Sequence, residues 1–209
     1  MSLVESASYR QCNLWKNHIH FYPLDMKLPG HITSLIHEVR RGRDPILSQS
    51  LDPERQRQLH QLWLDGPEHE VQDYFFSNIF PAPSVRDSIQ RDRGYQMNRD
   101  TVPDTGSDSK VSYPWPDMLY GYKHANAFTE AQLSSMGDIM FANARSLLYP
   151  FFYIEAEGDG SAGRGSLWVA TNECLGGSAS CVKITEHFNQ QLRDQVCVPY
   201  LISRRSYTN

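Results

Sequence analysis

"YPFFYIEAEGDGSAGRG", Tyr149 to Gly165, is the stretch on which the fold turns. An aromatic and aliphatic run ends on two glutamates, Glu155 and Glu157, and the chain then passes into glycine, serine and aspartate. A near-continuous apolar run closed by turn residues predicts a strand buried on both faces. On a strand, residues two apart share a face with Cα atoms about 6.7 Å apart, so Glu155 and Glu157 point the same way. Upstream, "VSYPWPDMLYGYK" predicts a second short strand bounded by proline and carrying Met118, Leu119 and Tyr120. If Asp117, at the end of the Pro-Asp strand, lies beside Glu155, three carboxylates converge where two strands finish. Such an oxygen-only set suits Mg²⁺ or Mn²⁺. A metal there would activate water and stabilise charge on a phosphodiester oxygen.

Downstream, a helix is predicted from about Ser166 to Arg193. Ala170, Cys174, Gly177, Cys181, Ile184, Phe188 and Leu192 recur at helical spacing and make a narrow face of small residues in its first half. Each glycine of Gly176-Gly177 costs roughly 1 kcal/mol against alanine, which points to close packing or a break there. "VCVPYLIS" near the C-terminus predicts a last strand. "GDGSAGRG" lacks the Gly-Lys-Ser/Thr ending of a phosphate loop and is expected to be the turn between strand and helix.

The N-terminal part, residues 1–83, is expected to be mainly helical after an extended start containing "HIHFYPL". Ile32, Leu35, Ile36 and Val39 define one helix ending near Gly42. A second begins at Pro53, a residue suited to a first helical turn, and closes at Gly66. A third, within "PEHEVQDYFFSNIF", stops at Pro81. Residues 84–110 are polar and turn-rich and predict a loop with at most one short strand. "TEAQLSSMGDIMFANARSLLYP" predicts one or two short helices. A single domain of residues 1–209 is expected, with its core in 111–209.

The chain has 209 residues, 40% of them hydrophobic, and a formal net charge of -4. That balance argues against a generally basic nucleic-acid surface and leaves room for a local basic patch. Cys12, Cys174, Cys181 and Cys197 lack the paired spacing of zinc sites. Cys174 and Cys181, two helical turns apart at about 10 Å, are too distant for a disulfide. No apolar run approaches membrane-spanning length and no secretory pattern opens the chain, so an intracellular protein, nuclear or cytoplasmic and away from membranes, is expected. His18 and His20 would share a strand face but have no evident third ligand.

The order "PWPDMLYGY", "YPFFYIEAEGD", then "SLWVATNECLGGSASCV" resembles the PD-(D/E)XK nuclease-like domains, most closely their fungal group. The resemblance covers roughly Val111 to Asn189. Pro116-Asp117 matches the Pro-Asp element, Glu155 the acid of the second element, and Ala156 the variable position whose carbonyl commonly helps ligate metal in such folds. The resemblance implies an α/β (α+β-like) fold with a restriction-endonuclease-like αβββαβ core, a mixed sheet flanked by helices. It also implies Mg²⁺-dependent hydrolysis of nucleic acid.

Glu157 stands where these nucleases carry the lysine that steadies transition-state charge, so either a lysine or arginine comes from elsewhere, or the metal does more, or cleavage has been lost. Lys123, Lys183 and Arg164 are the candidates. Glu38 on the first helix is a candidate further metal ligand, as first-helix acids are in related enzymes. Asn172 and Glu173 are candidates to meet a phosphate or a metal-bound water. The leading expectation is therefore a divalent-metal nuclease using Asp117, Glu155 and Glu157. Its rivals are a pseudo-nuclease that binds a protein or nucleic acid, and a non-nuclease enzyme using the same carboxylates on a small substrate.

Overall fold

The computed structural model describes residues 2–21, 26–41, 53–80, 82–137, 140–156 and 167–205. Three α-helices precede the strands: α1 (Gly30–Arg41), α2 (Pro53–Asp65) and α3 (Glu68–Asn78). They lie where apolar spacing, Pro53 and Gly66 placed them. Then follow β1 (Ile89–Asp92), β2 (Met118–Lys123), α4 (Glu130–Met136), β3 (Leu147–Ile154) and α5 (Leu167–Arg205). The start of α4 is fixed by a capping box. Thr129 Oγ1 accepts from the Gln132 amide at 3.3 Å, and Gln132 Oε1 accepts from the Thr129 amide at 2.8 Å.

The molecule is thus mixed helix and sheet, and the described strands form one sheet in the order β1-β2-β3. Both pairings are antiparallel, where a mixed sheet was expected. The final strand is also corrected, because "VCVPYLIS" continues α5. Short apolar runs rich in valine carry no periodicity that separates strand from buried helix.

One core forms where α5 crosses the sheet, built from Leu119, Leu147, Leu148, Tyr149, Cys181 and Ile184 with Met136 of α4. A second joins Val169 of α5 to Val4, Tyr9, Leu14, Val102 and Val111. The N-terminus there is not extended before His18. It forms tight helical turns at Leu3–Glu5, Arg10–Leu14 and Trp15–Asn17, with Tyr9 and Leu14 fully buried.

The expectation that β3 is buried on both faces holds only for its first half. Leu147 to Pro150 are buried, whereas Phe151 and Phe152 are 53% and 45% exposed. The register explains the change. Tyr120 pairs with Phe152 and Tyr122 with Leu148, so β3 bulges against β2 around Pro150, which has no N–H to give the ladder. Gly121 sits opposite the bulge; a Cβ there would lie 2.6 Å from the Leu148 carbonyl oxygen. Among the described residues, no helix is long and apolar enough to cross a membrane.

Candidate acidic site at the ends of two strands

Pro116 restrains the backbone that delivers Asp117 to the start of β2, and the Gly94 amide donates to the carbonyls of Pro116 and Asp117 at 3.1 and 3.2 Å. Because Met118 pairs with Ile154, Asp117 and Glu155 continue that pairing just beyond the strands. Asp117 Oδ2 accepts from the Ala156 amide at 2.7 Å, and the Asp117 amide donates to Glu155 Oε2 at 3.4 Å. Each motif acid is therefore held by the backbone of the other's strand. The Tyr153 hydroxyl donates to Glu155 Oε1. From α3, Gln72 Nε2 donates to the Ala156 carbonyl at 3.4 Å.

Burial dominates the electrostatics. It lifts the Glu155 carboxyl to about 8, helped by the nearby charges of Glu173 and Asp117 and opposed by the Tyr153 hydrogen bond. Asp117 is raised by burial as well, while the Ala156 amide and the Arg93 guanidinium pull it back. Cys174, two turns into α5, is raised by burial and by Glu155, Glu173 and Asp117. Burial likewise pushes up the Tyr153 phenol, and the negative charge of Glu155 pushes it further. Among the described residues, the site is a desolvated acid cluster with the Arg93 guanidinium at its edge.

The structure thus brings Asp117, Glu155 and the Ala156 backbone together, with Glu173 in electrostatic reach. Glu157 and Arg164 lie outside the described residues, as does the loop "GDGSAGRG". Lys123 ends β2 at the far side of the sheet, about 20 Å along the strand from Asp117. Its Nζ donates to the Ser84 and Val85 carbonyls at 2.9 Å. Lys183 lies about 15 Å along α5 from Glu173 and donates to the Asp100 and Val102 carbonyls at 2.8 Å. Glu38 is exposed on α1, and no described contact joins it to the acids.

Asn172 is fully buried and structural. Its amide donates to the Val4 carbonyl at 2.8 Å and its oxygen accepts from Arg10. His18 and His20 are both exposed, and His20 packs edge-on against Trp15.

Two residues of the site escape the motif. Tyr153 was accessible to the same alternation that pairs Glu155 with Glu157, since it lies two residues before Glu155 on the same strand. Arg93 belongs to the polar stretch 84–110 and reaches Asp117 only because the chain turns at Gly94. Its guanidinium also meets Asp73 at 3.4 Å and lies 4.2 Å over the Phe76 ring.

Hard oxygen donors are what Mg²⁺ and Mn²⁺ take, and two carboxylates with a backbone carbonyl supply them. Burial disfavours both carboxylate anions, a condition that a divalent cation relieves. The donor set therefore fits such an ion. Among the described residues, no group of three or more His, Cys, Asp or Glu side chains is arranged to hold one.

No curated protein and no solved structure is significantly similar to the chain. One family model matches residues 56–199, a span that takes in α3, the whole sheet and most of α5, including Asp117 and Glu155. The chain accordingly belongs to that family, a domain of unknown function (DUF7924).

Proposed function

We propose that the protein is a divalent-metal-dependent nuclease of PD-(D/E)XK type, hydrolysing phosphodiester bonds of nucleic acid at Asp117 and Glu155. The observation that carries this reading is the mutual clamp between those acids, Asp117 Oδ2 on the Ala156 amide at 2.7 Å and Glu155 Oε2 on the Asp117 amide. Residues 38 positions apart in the chain are held at one point by short-range polar contacts, half-buried, at the ends of adjacent strands. Asp117, Glu155 and the Ala156 carbonyl would hold Mg²⁺ or Mn²⁺. When bound, the ion supplies Lewis acidity and an activated water. Tyr153 orients the Glu155 carboxylate, and Arg93 provides the positive charge that Lys123 and Lys183 are too distant to give.

The test is calorimetric titration of Mn²⁺ together with cleavage of labelled DNA and RNA. Wild-type protein is expected to bind the ion and cut in its presence. Asp117→Asn and Glu155→Gln are expected to lose both properties while keeping the wild-type circular dichroism. Cleavage unchanged in both variants rejects the assignment.

A second reading, a pseudo-nuclease that binds its partner without hydrolysis, draws on the placement of Lys123 and Lys183 away from the acids. Absence of Mn²⁺ binding at millimolar concentration selects it.

A further inference from the structure

The segment that delivers Asp117 also presents a row of exposed rings. In "YPWPDM", Tyr113 to Met118, burial alternates: Pro114, Pro116 and Met118 are buried, Tyr113 and Trp115 are 47% and 63% exposed, and Asp117 is half-buried. The two prolines keep the residues before them extended. Tyr113, Trp115 and Asp117 therefore project to one side, at successive Cα separations of about 6.7 Å.

Hydrogen bonds anchor the Trp115 ring and the segment's backbone. The Trp115 indole N–H donates to the Gly94 carbonyl at 2.9 Å, and the Met97 amide donates to the Pro114 carbonyl at 2.9 Å, so residues 94–97 run alongside. Tyr95 on that neighbouring segment is 41% exposed. Each flanking tyrosine carries a guanidinium: Arg99 lies 5.0 Å from the Tyr113 ring centroid and Arg145 lies 5.3 Å from that of Tyr95. Both arginines are exposed, and Arg93, paired with Asp73, continues the series toward Asp117. Tyr113 and Trp115 share one cavity with Tyr153, the hydrogen-bond partner of Glu155, and with Glu173.

We infer that Tyr113, Trp115 and Tyr95, with Arg99 and Arg145, form a stacking platform for the unpaired bases of a single-stranded nucleic acid whose backbone leads to Asp117 and Glu155. Exposed rings spaced along an extended segment offer faces to bases, and guanidinium groups beside them meet phosphates; that combination is how single strands are bound without sequence preference. A duplex buries its base faces and leaves the rings nothing to stack on. Arg99 and Arg145 give this face local positive charge suited to a polyanion, in contrast with the net charge of -4 over the whole chain. The inference takes the class of partner from the nuclease reading, but the platform acts without metal or hydrolysis.

The test uses the full chain in EDTA, so that cleavage is suppressed, and fluorescence anisotropy with labelled oligothymidylate, oligouridylate and a blunt duplex of equal length. Either single strand is expected to bind at least tenfold more tightly than the duplex. Trp115→Ala and Tyr113→Ala are each expected to weaken single-strand binding roughly tenfold, the loss of one stacked base. Trp115→Phe keeps most of the affinity, and Arg99→Gln and Arg145→Gln reduce the salt dependence of binding.

Equal affinity for duplex and single strand, no binding to either strand, or full affinity in folded Trp115→Ala and Tyr113→Ala overturns the platform. Platform-dependent binding with no cleavage when Mn²⁺ is added rejects the nuclease reading and leaves the platform standing. Metal-dependent cleavage that ignores both ring variants does the reverse.

Discussion

Gly177 of α5 has no side chain where the ring of Tyr153 lies: a Cβ at Gly177 would come within 2.0 Å of Tyr153 Cε2. The glycine, unfavourable in a helix, is the recess that lets a β3 tyrosine lie against α5 and aim its hydroxyl at Glu155. Gly177→Ala gains about 1 kcal/mol of helix propensity and forces the ring to move. The overlap outweighs the gain, because inserting a methyl into a filled core costs typically about 1–3 kcal/mol. The variant is expected to unfold at lower denaturant concentration and to bind Mn²⁺ more weakly. Gly176→Ala is the control: its Cβ would meet Val111 Cγ1 at 3.4 Å, an ordinary contact, so stability should hold or rise slightly.

The buried Glu155 carboxyl makes stability depend on pH with a definite sign. Its folded value, about 8, lies above the ordinary 4.5, so the native state holds the proton more tightly than the unfolded chain does. The resulting stabilisation is fully present below about 4.5 and is lost as pH rises through about 8. Thermal midpoints of the metal-free protein should therefore fall across that window. Glu155→Gln, which cannot ionise, should flatten the fall and be the more stable protein at the alkaline end. The same linkage makes Mn²⁺ bind more tightly as pH rises, since the ion competes with that proton. A wild-type midpoint that rises steadily across the window would contradict the assignment of a buried, proton-holding Glu155.

Asn172 ties the N-terminal turns to α5, and its role is tested separately from the chemistry. Its fully buried amide satisfies the Val4 carbonyl, and its oxygen receives Arg10, whose guanidinium lies 3.6 Å over the Trp168 ring. Asn172→Ala orphans that carbonyl and removes the anchor of Arg10, a loss of about 1–3 kcal/mol. Urea titration should show the lowered midpoint. Metal binding per folded molecule should be unaltered, because the side chain faces the N-terminus and not the acids.

The helices before residue 80 were legible because apolar spacing, Pro53 and Gly66 act locally. The juxtaposition of Asp117 with Glu155 was legible because both sit where apolar runs end. What escaped depends on pairing between distant segments. The bulge at Pro150 that exposes Phe151 and Phe152 requires knowing that β2 lies opposite with Gly121 in register. The burial of Tyr9 and Leu14 requires knowing that α5 passes over them. The run from Val196 to Ser203 misled because strand-like composition gave way to continuation of a long helix. Asn172 and Glu173 are neighbours with different roles because successive helix positions face about 100° apart. One points into the N-terminal turns and the other toward the acids.

The source of positive charge at the site gives the remaining prediction. Lys123 and Lys183 each cap two backbone carbonyls, a structural use that leaves their ammonium groups far from Asp117. Among the described residues, Arg93 is the cation whose field is felt at Asp117, and stacking on Phe76 and pairing with Asp73 hold it there. Arg93→Gln is expected to reduce metal-dependent cleavage on the order of a hundredfold, the scale of losing one group that stabilises transition-state charge. Mn²⁺ affinity should stay within a few-fold, because Arg93 opposes the ion and does not ligate it. Lys123→Met and Lys183→Met should leave cleavage within a few-fold of wild type and lower stability modestly, each losing two hydrogen bonds to backbone carbonyls. Loss of cleavage in Lys183→Met with Arg93→Gln fully active would reverse the assignment and make the helix lysine the functional cation.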